Sequence, residues 1–102
     1  MKGWELKKQS DVLGLLLCPR LDQPWTFCSF EPTVGFQDVK SLFEREIKML
    51  NTGLVTSEDM TEWEESVSAI DGLNLSLHSL DDASIISDFL LHIESEEAWF
   101  RY

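Results

Sequence analysis

The sequence predicts an α+β fold: a mainly antiparallel sheet of five or six strands with two helices packed on one face, in the order βββααβββ. Segments with the two-residue period of strands occur in runs near both ends of the chain, and two segments with helical periodicity lie together between them. No Pro-, Gly- or Ser-rich linker separates these runs. Strands in runs with the helices grouped between them favour an antiparallel sheet that is covered on one face.

We expect residues 1–102 to form a single domain. Of the 102 residues, 43% are hydrophobic and 11% are aromatic, which is too rich in core-forming side chains for a disordered segment. A chain of this length supplies enough apolar surface for one core.

The first three strands are predicted over residues 4–9, 12–18 and 25–31. Turn-prone residues separate them at positions 9–11 and 21–24. Successive residues of each segment fall on opposite faces, as in a strand. Short turns between such segments indicate an antiparallel meander.

A first helix is predicted after the break at residues 32–35. Its apolar stripe has spacings of 3, 4, 4 and 3 and consists of Phe36, Val39, Phe43, Ile47 and Leu50. Gly53 supplies a C-terminal stop.

A second helix is predicted to open at Thr56 or Ser57, with Glu58 and Asp59 in its first turn, where carboxylates stabilise the helix dipole. Its stripe, which we assign to the core, consists of Met60, Trp63, Val67 and Ile70. Gly72 ends the helix.

The remaining strands are predicted in the last third of the chain. Residues 73–78 alternate between leucine and polar side chains, which indicates a half-buried strand. After a turn at residues 81–83, residues 85–94 are interpreted as one long central strand because both faces are largely apolar. A turn at residues 95–97 leads to a short final strand over residues 98–102.

The net charge of −11 is concentrated in the second half of the chain. Residues 1–48 hold seven acidic and seven basic residues, whereas twelve acidic residues run from Glu58 to Glu97 with no Lys or Arg among them. Nucleic acids and anionic membranes bind through Lys and Arg, so we expect neither as a partner. A basic protein partner is compatible with this charge, and so is an acidic surface that only confers solubility.

The N-terminal segment lacks the uninterrupted apolar run of a secretion signal or a membrane span. Glu5 and Asp11 interrupt any apolar run, and the leucines at residues 15–17 are too few to cross a bilayer. We therefore expect a cytoplasmic protein in which Cys18 and Cys28 are reduced thiols. A hairpin at the second turn places these two cysteines opposite each other.

No metal or cofactor site is predicted. A two-Cys, two-His set is available, but neither pair has the short spacing that lets one turn present two zinc ligands; the set is Cys18, Cys28, His78 and His92.

No catalytic residue is predicted either, and we expect that the protein is not an enzyme. A nucleophilic site would combine Cys28 with His92 and an orienting carboxylate, Asp88 or Glu94. Asp88 and His92 share a strand face but lie about 13 Å apart by the strand rise. The chain has no G-x-S-x-G, Gly-rich phosphate loop or H-E-x-x-H motif.

Two segments carry a resemblance to known sequences. The first runs from Asp22-Gln-Pro-Trp25 through Cys28-Ser-Phe-Glu-Pro-Thr33 to Phe36, and the second from Phe89-Leu-Leu-His-Ile93 to Glu97-Ala-Trp-Phe-Arg-Tyr102. They are similar to the two ends of a family of short bacterial proteins of unknown function. The resemblance implies a small bacterial cytoplasmic domain and transfers no functional residue.

The function predicted from these features is a small acidic protein-binding module, such as an immunity-like or antitoxin-like inhibitor of a basic effector. The three aromatic rings of residues 99–102 do not all fit one core, so at least one is expected on the surface, where aromatic rings anchor partners. The candidate partner-binding residues are Glu58, Glu62, Glu65, Trp99 and Tyr102.

The alternative is a small-ligand pocket protein or an enzyme that uses the sheet face bearing His92. A deep pocket with His92 or Cys28 and a carboxylate within hydrogen-bond distance would favour that alternative. A flat acidic face would favour the binding module. The sequence indicates no oligomeric state.

Overall fold

A computed structural model of the chain describes residues 2–22, 24–53 and 56–102. Its elements are β1 (Lys2–Lys8), β2 (Asp11–Asp22), β3 (Trp25–Pro32), a 3-10 helix (Val34–Asp38), α1 (Lys40–Asn51), α2 (Ser57–Asp71), β4 (Leu75–Ser79), β5 (Ile85–Ile86), β6 (Leu90–Glu94) and β7 (Glu97–Arg101). The strands form one sheet in the order β5-β4-β1-β2-β3-β7-β6, and each neighbouring pair is antiparallel. The α+β class and the antiparallel sheet are therefore confirmed.

The predicted meander of three strands is also confirmed, with β2 at the centre of the sheet and β1 and β3 on either side of it. Trp4 faces Leu16 across β1 and β2, and Leu16 faces Phe30 across β2 and β3. Gly14 lies beside this row. A Cβ atom at position 14 would lie 2.5 Å from the ring of Phe30, so glycine leaves the room that this ring needs. These residues form part of one hydrophobic core.

The prediction of one long strand over residues 85–94 is wrong. β5 pairs with β4 at one edge of the sheet, and β6 pairs with β7 at the other edge. The sheet therefore has seven strands in the order βββααββββ. The two-residue alternation of the sequence continues through Ser87 and Asp88, so the period does not show that the pairing partner changes there.

The connection between β5 and β6 forces the sheet to curl. Only residues 87–89 separate two strands that lie at opposite ends of the sheet order. Four Cα–Cα steps reach at most about 15 Å, whereas the edges of a flat sheet of seven strands would be roughly 29 Å apart. The two edges must therefore approach each other, and we call the gap between β5 and β6 the seam.

The helices begin and pack differently from the prediction. Phe36 belongs to the 3-10 helix, where its ring lies 4.9 Å from that of Phe30 and 5.8 Å from that of Phe43. The two helices do not both pack on one sheet face, because α1 contacts β6 whereas α2 packs chiefly against α1.

The predicted ends of the helices agree with the structure. Gly53 has φ 80° just after α1, the left-handed conformation that commonly ends a helix. α2 begins with a capping box in which Thr56 and Asp59 each accept a hydrogen bond from the other's backbone N–H.

Cys18 and Cys28 form a disulfide, with their Cα atoms 4.0 Å apart. Their predicted proximity is confirmed, but the expected reduced thiols are not found. The β2–β3 hairpin places both side chains in the buried core, and this contact between neighbouring strands permits the bond.

We predict that replacing both cysteines by alanine costs about 2 to 4 kcal/mol of unfolding free energy, the usual contribution of a disulfide that closes a short loop. Urea unfolding with and without a reductant measures this cost. The reductant should lower the midpoint of the wild type and leave the double alanine variant unchanged. A wild type that does not respond to the reductant would contradict the disulfide.

The turn between β4 and β5 holds an ionised Asp82. Its Oδ1 accepts the backbone N–H of Ser84 at 2.8 Å, and its Oδ2 lies 3.7 Å from Lys2 Nζ. Hydrogen bonds from Ser84 and then Ser79, with a smaller contribution from Lys2, lower the pKa of Asp82 to about 2 from its usual 3.8.

We predict that the Asp82 carboxyl titrates near pH 2 in an NMR titration of the folded protein. Because the folded pKa is the lower one, the stabilisation is fully present above the unfolded value of 3.8 and is lost as the pH falls towards about 2. Asp82→Asn should remove this pH dependence. The control Asp81→Asn keeps the serine hydrogen bonds and should leave the Asp82 midpoint low; an Asp82 midpoint near 3.8 in the wild type would contradict the turn geometry.

Candidate functional site

A buried carboxylate and imidazole join α1 to the edge strand β6. Glu46 is 1% exposed and His92 is 4% exposed. Glu46 Oε1 lies 2.6 Å from His92 Nδ1, and Glu46 Oε2 accepts a hydrogen bond from Trp63 Nε1 at 2.8 Å. A buried carboxylate is costly unless its oxygens are hydrogen-bonded, and here both are.

Glu46 was missed as a functional candidate, although the sequence contains a signal for it. It lies three residues after Phe43 and one before Ile47, so it shares the buried stripe of α1. A carboxylate at such a position requires a buried partner. Neither Asp88 nor Glu94, the predicted carboxylate partners of His92, contacts its ring nitrogens.

Aromatic rings surround His92. Its ring centroid lies 5.4 Å from that of Trp25 and 5.4 Å from that of Trp99, which pairs with His92 across β6 and β7. Arg101 Cζ lies 5.3 Å above the ring of Trp25. Trp99 is therefore half-buried against the histidine and is not a free surface ring.

The second nitrogen of His92 has no hydrogen-bond partner among the described residues. A ring held at Nδ1 by a carboxylate can present Nε2 as a proton acceptor.

The other groups proposed for catalysis or metal binding are not assembled around His92. Cys28 is bonded to Cys18, Glu94 accepts a hydrogen bond from Asn51, and His78 Nε2 lies 2.9 Å from Ser76 Oγ. Within residues 2–22, 24–53 and 56–102, no group of three His, Cys, Asp or Glu side chains is arranged to hold a metal ion.

A cavity of about 210 Å³ lies at the seam, beside the buried pair. We call it the seam cavity; α2, β4, the β5–β6 connection and β6 contribute to its walls. It is lined by Glu46, Val67, Ile70, Asp71, Asn74, Leu75, Ser87, Asp88, Phe89, Leu90 and Leu91. Glu46 reaches the cavity and His92 does not, so the histidine has no part in its chemistry.

The three candidate glutamates lie exposed on α2. This helix carries six acidic and no basic residues, and it buries only Ser66 and Ile70. Glu65 lies 3.9 Å from Arg45 Nη2 of α1, so its charge is partly paired. Tyr102 is 79% exposed, and its ring stacks on Phe100 at 6.1 Å.

The assignment of the whole α2 stripe to the core is wrong. Ile70 is buried in the core, but Met60 is 39% exposed and Trp63 is only partly buried. The reason is the packing of α2 on α1, which leaves the first turns of α2 away from the sheet.

The chain matches no known protein family, no curated protein and no solved structure. The resemblance to short bacterial proteins is not addressed by these comparisons and stays an expectation. No helix in the described part of the chain is long and apolar enough to span a bilayer.

We predict that Trp63→Phe lowers the unfolding free energy by about 1 to 3 kcal/mol more than Trp99→Phe does, because it leaves a buried oxygen of Glu46 without its donor. Both variants remove the same indole atoms. The Trp99 indole N–H makes no hydrogen bond to the described residues, so Trp99→Phe is the matched control. Equal urea midpoints for the two variants would contradict a stabilising Trp63–Glu46 hydrogen bond.

Proposed function

We propose that the protein is a small acidic protein-binding domain whose helix α2 binds a basic partner, in the manner of an immunity-like or antitoxin-like inhibitor. One observation carries this proposal. α2 exposes its carboxylates, has no basic residue of its own and buries only two side chains against the rest of the molecule.

The arrangement of charge on α2 supports a binding role. Glu58, Glu62 and Glu65 follow one another at helical spacings of 4 and 3, so they repel each other on one face. Arg45 offsets only Glu65. An uncompensated patch of one sign accelerates the approach of an oppositely charged protein. A basic partner would remove the repulsion on binding.

Tyr102 and Trp99 extend the proposal beyond charge. Tyr102 projects an exposed aromatic ring, and aromatic rings often supply the binding energy at interfaces. One face of Trp99 packs against His92, so this partly buried ring exposes less surface to a partner than Tyr102 does. In this proposal the charges of α2 attract the approaching partner, and Tyr102 contacts the partner in the bound complex.

The alternative function at the His92 face has one observation in its favour. His92 has a carboxylate within hydrogen-bond distance, which is the geometry expected for a general base. Two observations weigh against it: Cys28 is oxidised to a disulfide, and the seam cavity does not reach His92. We therefore propose a non-enzymatic role, in which Glu46 and His92 hold α1 against β6.

The cytoplasmic location expected from the N-terminal segment can be compared with the state of the two cysteines. Disulfides persist mainly in oxidising compartments, so the Cys18–Cys28 bond argues against the cytoplasmic location expected from the sequence. Alkylation of the protein in fresh cell extract would show which state the cysteines have in the cell.

We predict that changing Glu58, Glu62 and Glu65 together to Gln slows association with a basic partner roughly tenfold at low salt and flattens its salt dependence. Folding stability should stay the same or rise, because the repulsion is removed. Pull-downs from native extract at low and high salt identify the partner, and its association rate is then measured with each variant.

The matched control removes three exposed charges from the first half of the chain, with Asp11→Asn, Glu31→Gln and Asp38→Asn. It changes the net charge equally and should affect the association rate much less. If wild type and the α2 variant recover the same partners at equal rates, or no partner at all, the acidic helix serves solubility and the proposed function is wrong.

A further inference from the structure

Ser76 and His78 lie side by side on the outer face of the sheet, the face opposite the hydrophobic core. The alternation along β4 buries Leu75 and Leu77 in the core, so Ser76 and His78 point to the other side. Ser76 Oγ lies 2.9 Å from His78 Nε2, and both side chains are only partly buried. A hydroxyl and a ring nitrogen are therefore in contact at a place that reagents can reach.

The direction of this hydrogen bond decides its chemistry. In the tautomer of His78 that carries its proton on Nδ1, Nε2 accepts the hydrogen bond and the Ser76 hydroxyl donates it. An imidazole in this position activates a serine, because it takes the proton as the oxygen attacks. The contact differs from the buried pair of Glu46 and His92, in which a carboxylate holds a ring that is only 4% exposed.

Charged residues of β1 face this pair across the sheet. Lys7 lies opposite Ser76, and Glu5 lies opposite His78. Residues directly opposite each other in antiparallel strands have Cβ atoms about 4.5 to 5.5 Å apart, so the Lys7 ammonium can approach the serine oxygen. A positive charge there stabilises the oxyanion that forms when a hydroxyl attacks a carbonyl group. The negative charge of Glu5 favours the imidazolium that forms in the same step.

The neighbour of His78 on its other side is apolar. Ile85 of β5 lies opposite His78 and is 58% exposed, so it offers aliphatic surface beside the ring. A short hydrocarbon chain can cover this surface. Ser76 and His78 are not among the residues that line the seam cavity. An open sheet face holds a reactant only loosely, so this surface suits a single covalent modification better than rapid turnover.

We propose that Ser76 is a site of covalent acylation, at which its hydroxyl accepts a short acyl group from an activated ester or an acyl phosphate. Ser76 Oγ attacks the carbonyl carbon of the donor while its proton passes to His78 Nε2. The bond between that carbon and the leaving group then breaks, and the leaving group departs with the proton from Nε2. One acyl bond replaces another, so the step involves no oxidation or reduction. The site lies on β4 and does not depend on the function proposed for α2.

The test is acetylation of the full chain by p-nitrophenyl acetate, followed by mass spectrometry of its peptides. Ser29 is an internal control, because it is exposed on the same sheet face and its hydroxyl donates to the backbone carbonyl of Leu17 at 3.4 Å. We expect Ser76 to be acetylated at least about 100-fold faster than Ser29, the usual contribution of a general base. Neutral hydroxylamine should remove the acetyl group, because it cleaves a serine ester and leaves acetyl-lysine intact. Acetylation confined to lysines, or equal at the two serines, would overturn the proposal.

Variants separate the base from the neighbouring charges. His78→Gln keeps a hydrogen-bonding side chain but removes the base, and it should slow acetylation of Ser76 about 100-fold. Lys7→Gln and Glu5→Gln should each slow it about fivefold, the effect of one charge about 4 Å away in water, and leave the final extent unchanged. The matched control is Lys8→Gln, because Lys8 points to the other side of β1 and pairs with Leu75; it should change the rate less than about twofold. Urea unfolding of each variant shows that it is folded. An unchanged rate in folded His78→Gln would contradict the proposed role of the ring.

A comparison of two donors distinguishes the sources of the acyl group. Acetyl phosphate has an anionic leaving group, whereas p-nitrophenyl acetate is neutral. Each rate at Ser76 is divided by the rate of the same donor with N-acetylserinamide, which removes the difference in intrinsic reactivity. The donor with the higher ratio identifies the class that the site accepts, and both ratios should exceed about 100 if the base acts as proposed. Ratios near one for both donors would show that Ser76 is an ordinary hydroxyl and would overturn the proposal.

Discussion

The rest of the fold depends on the three-residue connection between β5 and β6. It ties together the two edges of the sheet, so the sheet curls and its open side narrows to a seam. The end of α2 and the side chains of residues 87–91 meet there and enclose the seam cavity. The connection also places Asp88 beside Asp71. Topology thus creates the cavity, and local side-chain chemistry gives it a negative charge.

A second constraint is the buried carboxylate of Glu46, which bonds one residue of α2 and one residue of β6. Apolar contacts alone would allow α1 to slide along the edge strand, since they have no preferred direction. A misplaced α1 would leave Glu46, His92 and the Trp63 indole unsatisfied. The pair therefore fixes how the helical hairpin sits on the sheet, which also fixes the direction in which α2 presents its charges.

Local patterns predicted the meander, the start of α2 at Thr56 and the end of α1 at Gly53, because each depends on neighbouring residues. The division of residues 85–94 into two strands was not predictable from periodicity, since both halves have the same period. The Glu46–His92 contact joins residues 46 positions apart, and only the stripe position of Glu46 hinted at it. The hairpin register placed the cysteines together but does not determine their oxidation state.

The position of β1 between β4 and β2 also has a consequence for how the chain folds. β1 pairs locally with β2, but its other neighbour is β4, whose partner residues lie 67 (Lys8 with Leu75) to 75 (Trp4 with Ser79) positions away. Such distant pairing requires closure of a large loop before any contact compensates for the lost entropy. We expect the β1–β3 meander to form early with β1 and β3 each lacking one neighbour, and the docking of β4 on β1 and of β7 on β3 to limit the rate of folding. During that interval, β1 is an open edge available for association with other chains.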